Sequence, residues 1–511
     1  MSGQNVPLRA NEDDSDAIVS VRAVDSTSQE PSPANAARSE PGTAETADSE
    51  FVNVSLDHEL PRPLPDPDDS VPSIPANDPE FARNIVDWDR DDPKNPYNWS
   101  TWSKSIQIFL VSCLTLVVRL GSGMIAPWAA RIMRDLGTPD ELHLLMALTV
   151  SVYVLGLAAG PLLVVPLSKI FGRLNVSRVA NMGFVGFTMG CSFAGSPITL
   201  IIFRFAAGLF GTSALANGPG GIYSAFRVVG SALGPIFGIL VGGDGNWRLV
   251  IRVQCYAALA VMIVMAPFCH ETYGPTVLQE EVDRRRRETR NQRLRSRLDP
   301  GLTRWQILRT GMTYPFRIFF AVRECVAYGT LVSVAYGVQY TMLTTMDHVF
   351  SDLYRDIATV SGWYYLALAL GCLSGLLVDW VAGETGPARH RDKLLLALAG
   401  SIGVVFASLV IYGWLTQRNN GLSGVIFFCL YFATMGTTSL MAFVRKAVMW
   451  TFTEDGMELT LAATVILKGI FGASLPLLGI WLYDKLGAGW ASTALAGAIV
   501  VVTPAAFWAI R

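Results

Sequence analysis

Residues 270–300 read HETYGPTVLQEEVDRRRRETRNQRLRSRLDP, and eight of them, from Arg284 to Arg297, are arginines. What lies on either side decides the fold. A helix that crosses a bilayer needs about 20 mostly apolar residues. Upstream, runs of that kind fall at roughly 105–127, 143–166, 178–195, 198–219, 226–245 and 249–269. Downstream they recur at roughly 320–342, 358–381, 394–415, 421–444, 459–482 and 488–510. The stretch 270–318 is the one long interruption, so the layout is six spans, a basic loop and six spans. Transporters built from two parallel halves have this plan, each half being a pair of inverted repeats. The expected fold class is an all-α membrane protein with twelve transmembrane helices in two six-helix bundles.

Composition agrees. The chain has 511 residues, of which 51% are hydrophobic and 16% charged, against about 25% charged in a typical soluble domain. Mean hydropathy is +0.36. These values argue against a single soluble domain and against disorder throughout. The charge is unevenly spread: residues 1–100 hold 21 acidic and 7 basic residues and 13 of the 27 prolines. Such a segment buries too little apolar surface to offset its ordering entropy. Residues 1–84 therefore read as a disordered, acidic, Pro-rich cytosolic tail. Residues 85–104 read as a membrane-proximal aromatic segment, with Trp88, Tyr97, Trp99 and Trp102 as headgroup anchors. Residues 105–269 form the first bundle, 270–318 the basic cytosolic loop, and 319–511 the second bundle. Met1 leads into polar sequence rather than a signal peptide, so the first span is expected to act as an internal signal-anchor.

Orientation follows from the basic residues, which favour the cytosolic side. They collect in alternate loops: Lys169, Arg173 and Arg178, then the arginine run, then Arg389, Arg391 and Lys393, then Arg445 and Lys446. Both termini are expected in the cytosol of a plasma-membrane protein. Retention of that loop explains the arginine run more cheaply than nucleic-acid binding does, so no nucleic-acid partner is expected. The seven cysteines make no CxxC and lie in or beside apolar stretches, which reads as small packing residues rather than a zinc or disulfide framework. The sequence has no HExxH and no GxSxG, and its five histidines are scattered. No enzyme activity, metal or cofactor is expected.

Several motifs carry a more specific resemblance. DDPKNPYNWS (91–100), LGLAAGPLLVVPLSKIFGR (155–173), FRFAAGLFG (203–211), GSALGPIFGILVGG (230–243), HETY (270–273) and FGASLPLLGIWLYDKLGAGWAS (471–492) occur in this order. Together they resemble the major facilitator superfamily, in its twelve-span fungal drug:proton antiporter branch. That resemblance implies a monomeric efflux carrier. It would export a drug or secondary metabolite against inward-moving protons, with the lipid bilayer as its solvent.

Each motif also has a reading in physical terms. Gly160 and Pro161 are expected to break a helix near mid-membrane, and Gly172 with Arg173 to turn the chain; a gate and ordinary loop chemistry both fit. Arg204 sits in an apolar span, where a charge marks a functional site by default. The resemblance assigns the matching arginine to proton coupling, whereas a structural arginine would bond backbone carbonyls. Gly208 one turn on allows close helix approach. Gly230, Gly234, Gly238 and Gly242 recur on one face beside Pro235; the resemblance reads them as a seal against proton leak, while packing alone accounts for them equally. Arg119 either lines the pocket, favouring an anionic or polyoxygenated substrate, or lies at a span end. Lys468, Tyr153, Asn217, Tyr336, Gln339 and Tyr340 are the other candidate substrate contacts.

The chain departs from the family pattern in four places, one being the span 8–9 region, which lacks the family's Pro-Glu-x-Arg-like element. Lys169 stands where an acid is usual. The stretch 221–235 is a shortened link between spans four and five. No Asp or Glu lies deep in a span, Glu324, Asp379 and Asp484 being near ends. An uncoupled facilitator or importer, or a transporter-like scaffold or sensor, are therefore the alternatives. If the orientation is right, Asn53, Asn98 and Asn175 remain unglycosylated despite their N-x-S pattern. Endoglycosidase treatment of protein from a secretory-competent host should leave gel mobility unchanged, and a mobility shift refutes the orientation.

Overall fold

A computed structural model describes residues 84–89, 92–137, 143–212, 221–243, 245–299, 301–351, 357–381, 391–418, 423–451 and 454–510. All lie in one compact unit, His58–Arg511. The tail expected at 1–84 falls outside the described residues save Asn84.

Among the described residues, twelve long helical segments stand where the twelve apolar runs predict spans. The first six are Thr101–Gly123, His143–Phe171, Arg173–Ser192, Pro197–Gly211, Gly221–Gly242 and Trp247–Phe268. Then come Arg323–Ser351, Ile357–Val381, Arg391–Arg418 and Ser423–Thr451. The last helix, Glu454–Ile510, is broken at Gly487, whose φ of 74° lies in the left-handed region, and so supplies spans eleven and twelve. Helix starts are capped by the residue types that offer a side-chain oxygen: Ser100 accepts from the Ser103 amide, Ser196 from Thr199 and Asn246 from Leu249. The fourth span is short, 15 residues.

The neighbour pattern repeats. Span one packs on spans five and six, span two on four, and span three on four and six. In the second half, seven packs on eleven, eight on ten, and nine on ten. Span nine also meets span twelve, where the Trp414 and Trp490 rings lie 5.6 Å apart. Large apolar side chains such as Val179, Ile202, Ile263, Leu377 and Val501 face outward from the helices. An outward apolar surface of this extent on hydrogen-bonded helices suits lipid.

Glycines set the closest contacts. A Cβ on Gly234 would lie 2.6 Å from the Leu120 carbonyl oxygen, and on Gly230 it would lie 2.7 Å from the Arg119 Cβ. At Gly238 it would overlap the Met124 carbonyl, and at Gly208 the Tyr153 carbonyl. The second half does the same: a Cβ on Gly375 would lie 2.9 Å from the Met435 oxygen, and on Gly337 2.8 Å from the Phe471 oxygen. The stripe expected on span five is thus a helix-packing face against span one, as its spacing allows. One expectation fails. Span two does not break at Gly160–Pro161: the helix runs unbroken through Pro161 and Pro166 to Phe171. Gly160 instead seats the helix against span four, where a Cβ would lie 2.5 Å from the Leu209 oxygen. A freed backbone carbonyl before a proline is tolerated inside a bundle because neighbouring groups satisfy it.

The basic stretch holds two helices, Gly274–Thr289 and Arg304–Ala321. The chain preceding span one is tied to the first of them. Ile85–Val86 (β1) pairs in parallel with Arg295–Ser296 (β2). Arg297 contacts Asp87 at 2.6 Å, and Lys94 reaches Glu281 at 3.0 Å. Arg284 and Arg285 bond the same carboxylate. Arg284, then Lys94 and Arg285, hold the Glu281 carboxyl at about 2 against the opposing effect of burial. Several of the arginines expected to mark the cytosolic side therefore also carry structural ion pairs.

Gly238→Leu should cost roughly 2–3 kcal/mol or block assembly, because the obstacle is backbone and cannot step aside. Gly186→Leu, on an exposed helix surface with nothing within 4 Å, should be tolerated. Size-exclusion profiles and melting temperatures of the purified variants check this, and equal behaviour of the two refutes it.

Candidate functional site: a polar layer between the halves

Arg204 on span four is buried, 2% exposed. Its Nε donates to the Thr149 carbonyl at 3.2 Å and its Nη2 to the Gly121 carbonyl at 2.9 Å. The guanidinium also lies 4.2 Å from the centroid of the Tyr153 ring. Gly121 is in the last turn of span one, where carbonyls lack intrahelical partners and the helix dipole is negative. A cation there is stabilised twice, by hydrogen bonding and by the dipole. Arg204 thus joins spans one, two and four, which is the arrangement expected of a structural arginine. Tyr153 completes the knot by donating from its hydroxyl to the Val118 carbonyl at 2.7 Å.

Two residues nearer the start of span one than Gly121, Arg119 faces the other half. It is 8% exposed, and its Nη1 donates to the Tyr336 hydroxyl on span seven at 3.4 Å. Beside it Tyr340 donates to the Ser122 hydroxyl at 3.1 Å. The two tyrosine rings lie 4.7 Å apart. Arg119 lies near the end of the Thr101–Gly123 helix and is buried there against spans five and seven. Spans two and eleven meet alongside, where Gly469 faces Ala158 and Gly472 faces Val154 and Tyr336. Lys468, one turn before Gly472, is half-buried and feels the charges of Arg227, Arg445 and Arg119. Gln339 turns to span eight, its Nε2 2.9 Å from the Cys372 sulfur. The candidates Arg119, Tyr336, Tyr340 and Lys468 come together in one layer; Tyr153 sits behind it with Arg204, and Gln339 on another face of span seven. Asn217 lies outside the described residues.

At the end where the chain enters span one, two quoted motifs meet. Gly172, with φ of 87°, breaks the chain between spans two and three. The Glu271 carboxylate of HETY accepts from the Arg173 amide at 3.1 Å and the Leu174 amide at 2.9 Å, capping span three. The Arg173 guanidinium lies 5.1 Å from the Tyr273 ring. Burial pushes the Tyr273 hydroxyl up, with Arg173 opposing. In the second half Asp379 bonds Arg445 at 3.0 Å and Lys446 at 2.8 Å, tying spans eight and ten.

Sequence reasoning missed three groups. In the sequence Arg445 and Lys446 bear on orientation and Asp379 is a span-end acid, and nothing local pairs them, though ends of successive even spans must share a side. Arg227 has no signal in the sequence beyond its place near the start of span five. Buried Gln254 went unremarked among apolar neighbours.

The profile of the Major Facilitator Superfamily matches residues 111–449. The chain belongs to the major facilitator superfamily. It is 31% identical to "Efflux pump radE" of Floropilus chiversii over 81% of this chain and 81% of that pump. It is 32% identical to "MFS-type transporter penM" of Penicillium rubens, over 83% of this chain and 88% of that one. Among solved structures, the xylose transporter XylE of E. coli in a partially occluded inward-open state has a TM-score of 0.56 at 14% identity, over 79% of this chain and 97% of that one. A bacterial Spinster homologue in an inward-facing state has a TM-score of 0.54 at 13% identity, over 81% of this chain and 98% of that one. Those two likenesses establish the fold alone. The molecule is thus a multi-pass membrane protein with the transporter fold.

In this major facilitator protein Arg204 serves two carbonyls at once, which needs a planar fork. Arg204→Lys keeps the charge and should lose one charge-assisted bond, worth roughly 1.5–3 kcal/mol. The melting temperature of the purified variant should fall accordingly, and an unchanged value refutes the assignment.

Proposed function

We propose that this chain exports a small amphipathic molecule, a drug or a metabolite of the same cell, from the cytosol by alternating access. It works as a monomer in the plasma membrane with both termini cytosolic, and protons moving inward supply the energy. The observation that carries the reading is the layer formed by Arg119, Tyr336, Tyr340 and Lys468. It lies between two halves that are each locked internally by glycine contacts, so that rocking of one half on the other exposes it to alternate sides. Export is favoured by the names of relatives: "Efflux pump radE", and the "Trichosetin biosynthesis cluster MFS transporter" of Gibberella fujikuroi, 28% identical over 84% of this chain.

In this reading Gly230, Gly234, Pro235 and Gly238 keep span five sealed on span one. Gly208, Gly160 and Pro161 let spans two and four move as one piece. Gly172 and Arg173, held by Glu271, form the turn at the cytosolic end. Arg204 cannot release a proton, so its part in coupling is to hold spans one, two and four in one conformation. A second reading, uncoupled facilitation, is favoured by the acids of the spans, which all lie at span ends.

Expression in cells stripped of their own exporters separates these. Coupled export lowers accumulation of a transported compound, and a protonophore restores it. Lowered accumulation that ignores the protonophore supports facilitation. Unchanged accumulation across a broad panel of amphipathic compounds removes the transport reading.

A further inference from the structure

The helix Arg304–Ala321 lies between the arginine run and span seven. The chain bends by 100° between it and span seven, so where span seven crosses the bilayer this helix runs along the surface. Its depth is set by span two. A Cβ on Gly311 would lie 2.5 Å from the Pro166 ring, and the Arg304 guanidinium lies 5.7 Å from the ring of Phe171, the residue that ends span two. Tyr314 and Phe319 are buried on the protein side, Phe319 against Gly329 of span seven. The opposite side is uncovered. Trp305, Met312, Phe316 and Phe320 are exposed, the two outer ones by 69% and 76%. Their spacing of seven, four and four residues puts them on one helical face. Arg309 falls within that face and Arg317 at its edge. The helix carries three arginines and no acid. Among the described residues Arg309 and Arg317 have no ion pair, whereas Arg284, Arg285, Arg286 and Arg297 in the preceding stretch each have a carboxylate within reach.

A bare apolar face marks a binding surface. Tryptophan and phenylalanine interleaved with arginine, on a helix parallel to the bilayer at the depth where spans end, suit the headgroup boundary. Arginine cannot shed its proton, and its planar fork takes two phosphate oxygens at once. A zwitterionic headgroup brings its own cation, while an acidic one leaves a net negative charge for the arginines. We propose that Arg304–Ala321 is a binding element for acidic phospholipid. Trp305, Met312, Phe316 and Phe320 enter the acyl boundary, and Arg309 and Arg317 hold the headgroup phosphates. The inference concerns the membrane face of the linker and does not use the transport reading.

Two measurements on the full chain test it. In native mass spectrometry, affinities for phosphatidylserine and phosphatidylcholine are compared. A basic side chain near an anionic surface contributes roughly fivefold in affinity, so the serine-to-choline ratio should be at least about fivefold for the parent. Arg309→Gln with Arg317→Gln should lower that ratio at least about fivefold. Arg309→Lys with Arg317→Lys should keep most of it. Arg287→Gln with Arg290→Gln removes the same charge from exposed positions of the arginine run and should also keep most of it. The ratio is insensitive to the fraction of folded protein. In nanodiscs of mixed phosphatidylcholine and phosphatidylserine, the fluorescence lost on Trp305→Phe should be quenched by lipid brominated high on the acyl chain and little by aqueous iodide. A ratio near one in the parent, an equal fall in the two Gln pairs, or a Trp305 signal quenched by iodide and not by brominated lipid overturns the proposal. The last result would leave the face to a protein partner instead.

Discussion

The closeness of helix backbones within each half is the constraint on which the rest depends. Lipid is as apolar as leucine, so the hydrophobic effect does not drive these helices together, and packing with hydrogen bonds must. Gly234 and Gly238 bring span five onto the carbonyls of Leu120 and Met124. Gly208 brings span four onto the Tyr153 carbonyl, and Gly375 and Gly337 repeat the device six spans later. Arg204 then reaches the Thr149 and Gly121 carbonyls because spans one, two and four are already that near. Each half becomes a rigid body, and what separates the halves becomes a place where movement and binding are possible.

The polar residues divide accordingly. Arg204, Tyr153 and Asp379 bond within a half, to carbonyls or to opposite charges, and stiffen it. Arg119, Ser122, Tyr336 and Tyr340 bond between halves, through side chains only. Backbone carbonyls fixed in helices make durable anchors, whereas side-chain hydroxyls can exchange partners as the halves rock.

Outside the spans, the ends are tied by a different chemistry. Glu271 caps span three and Glu281 gathers Lys94, Arg284 and Arg285. The arginine run that the sequence leads one to expect on the cytosolic side thus also helps bind the linker to the segment ahead of span one.

The number of spans, their order and the two-half plan were legible in the sequence, because spanning helices must be apolar over a length set by the bilayer, independent of what they touch. The stripe on span five was legible as a face, since spacing of four fixes a helical side; that it meets span one was not. Pro161 misled, because a proline's effect on a helix depends on whether neighbours satisfy the freed carbonyl. Arg204 was legible as exceptional from its apolar context, while its bonding to Gly121, 83 residues away in the chain, had no local signal. Sequence by itself determined which residues are buried in lipid-spanning helices and which charges are out of place there. Only the tertiary structure decided which of those charges are answered by carbonyls of their own half and which gather between the halves, because that depends on approach between helices distant in the chain.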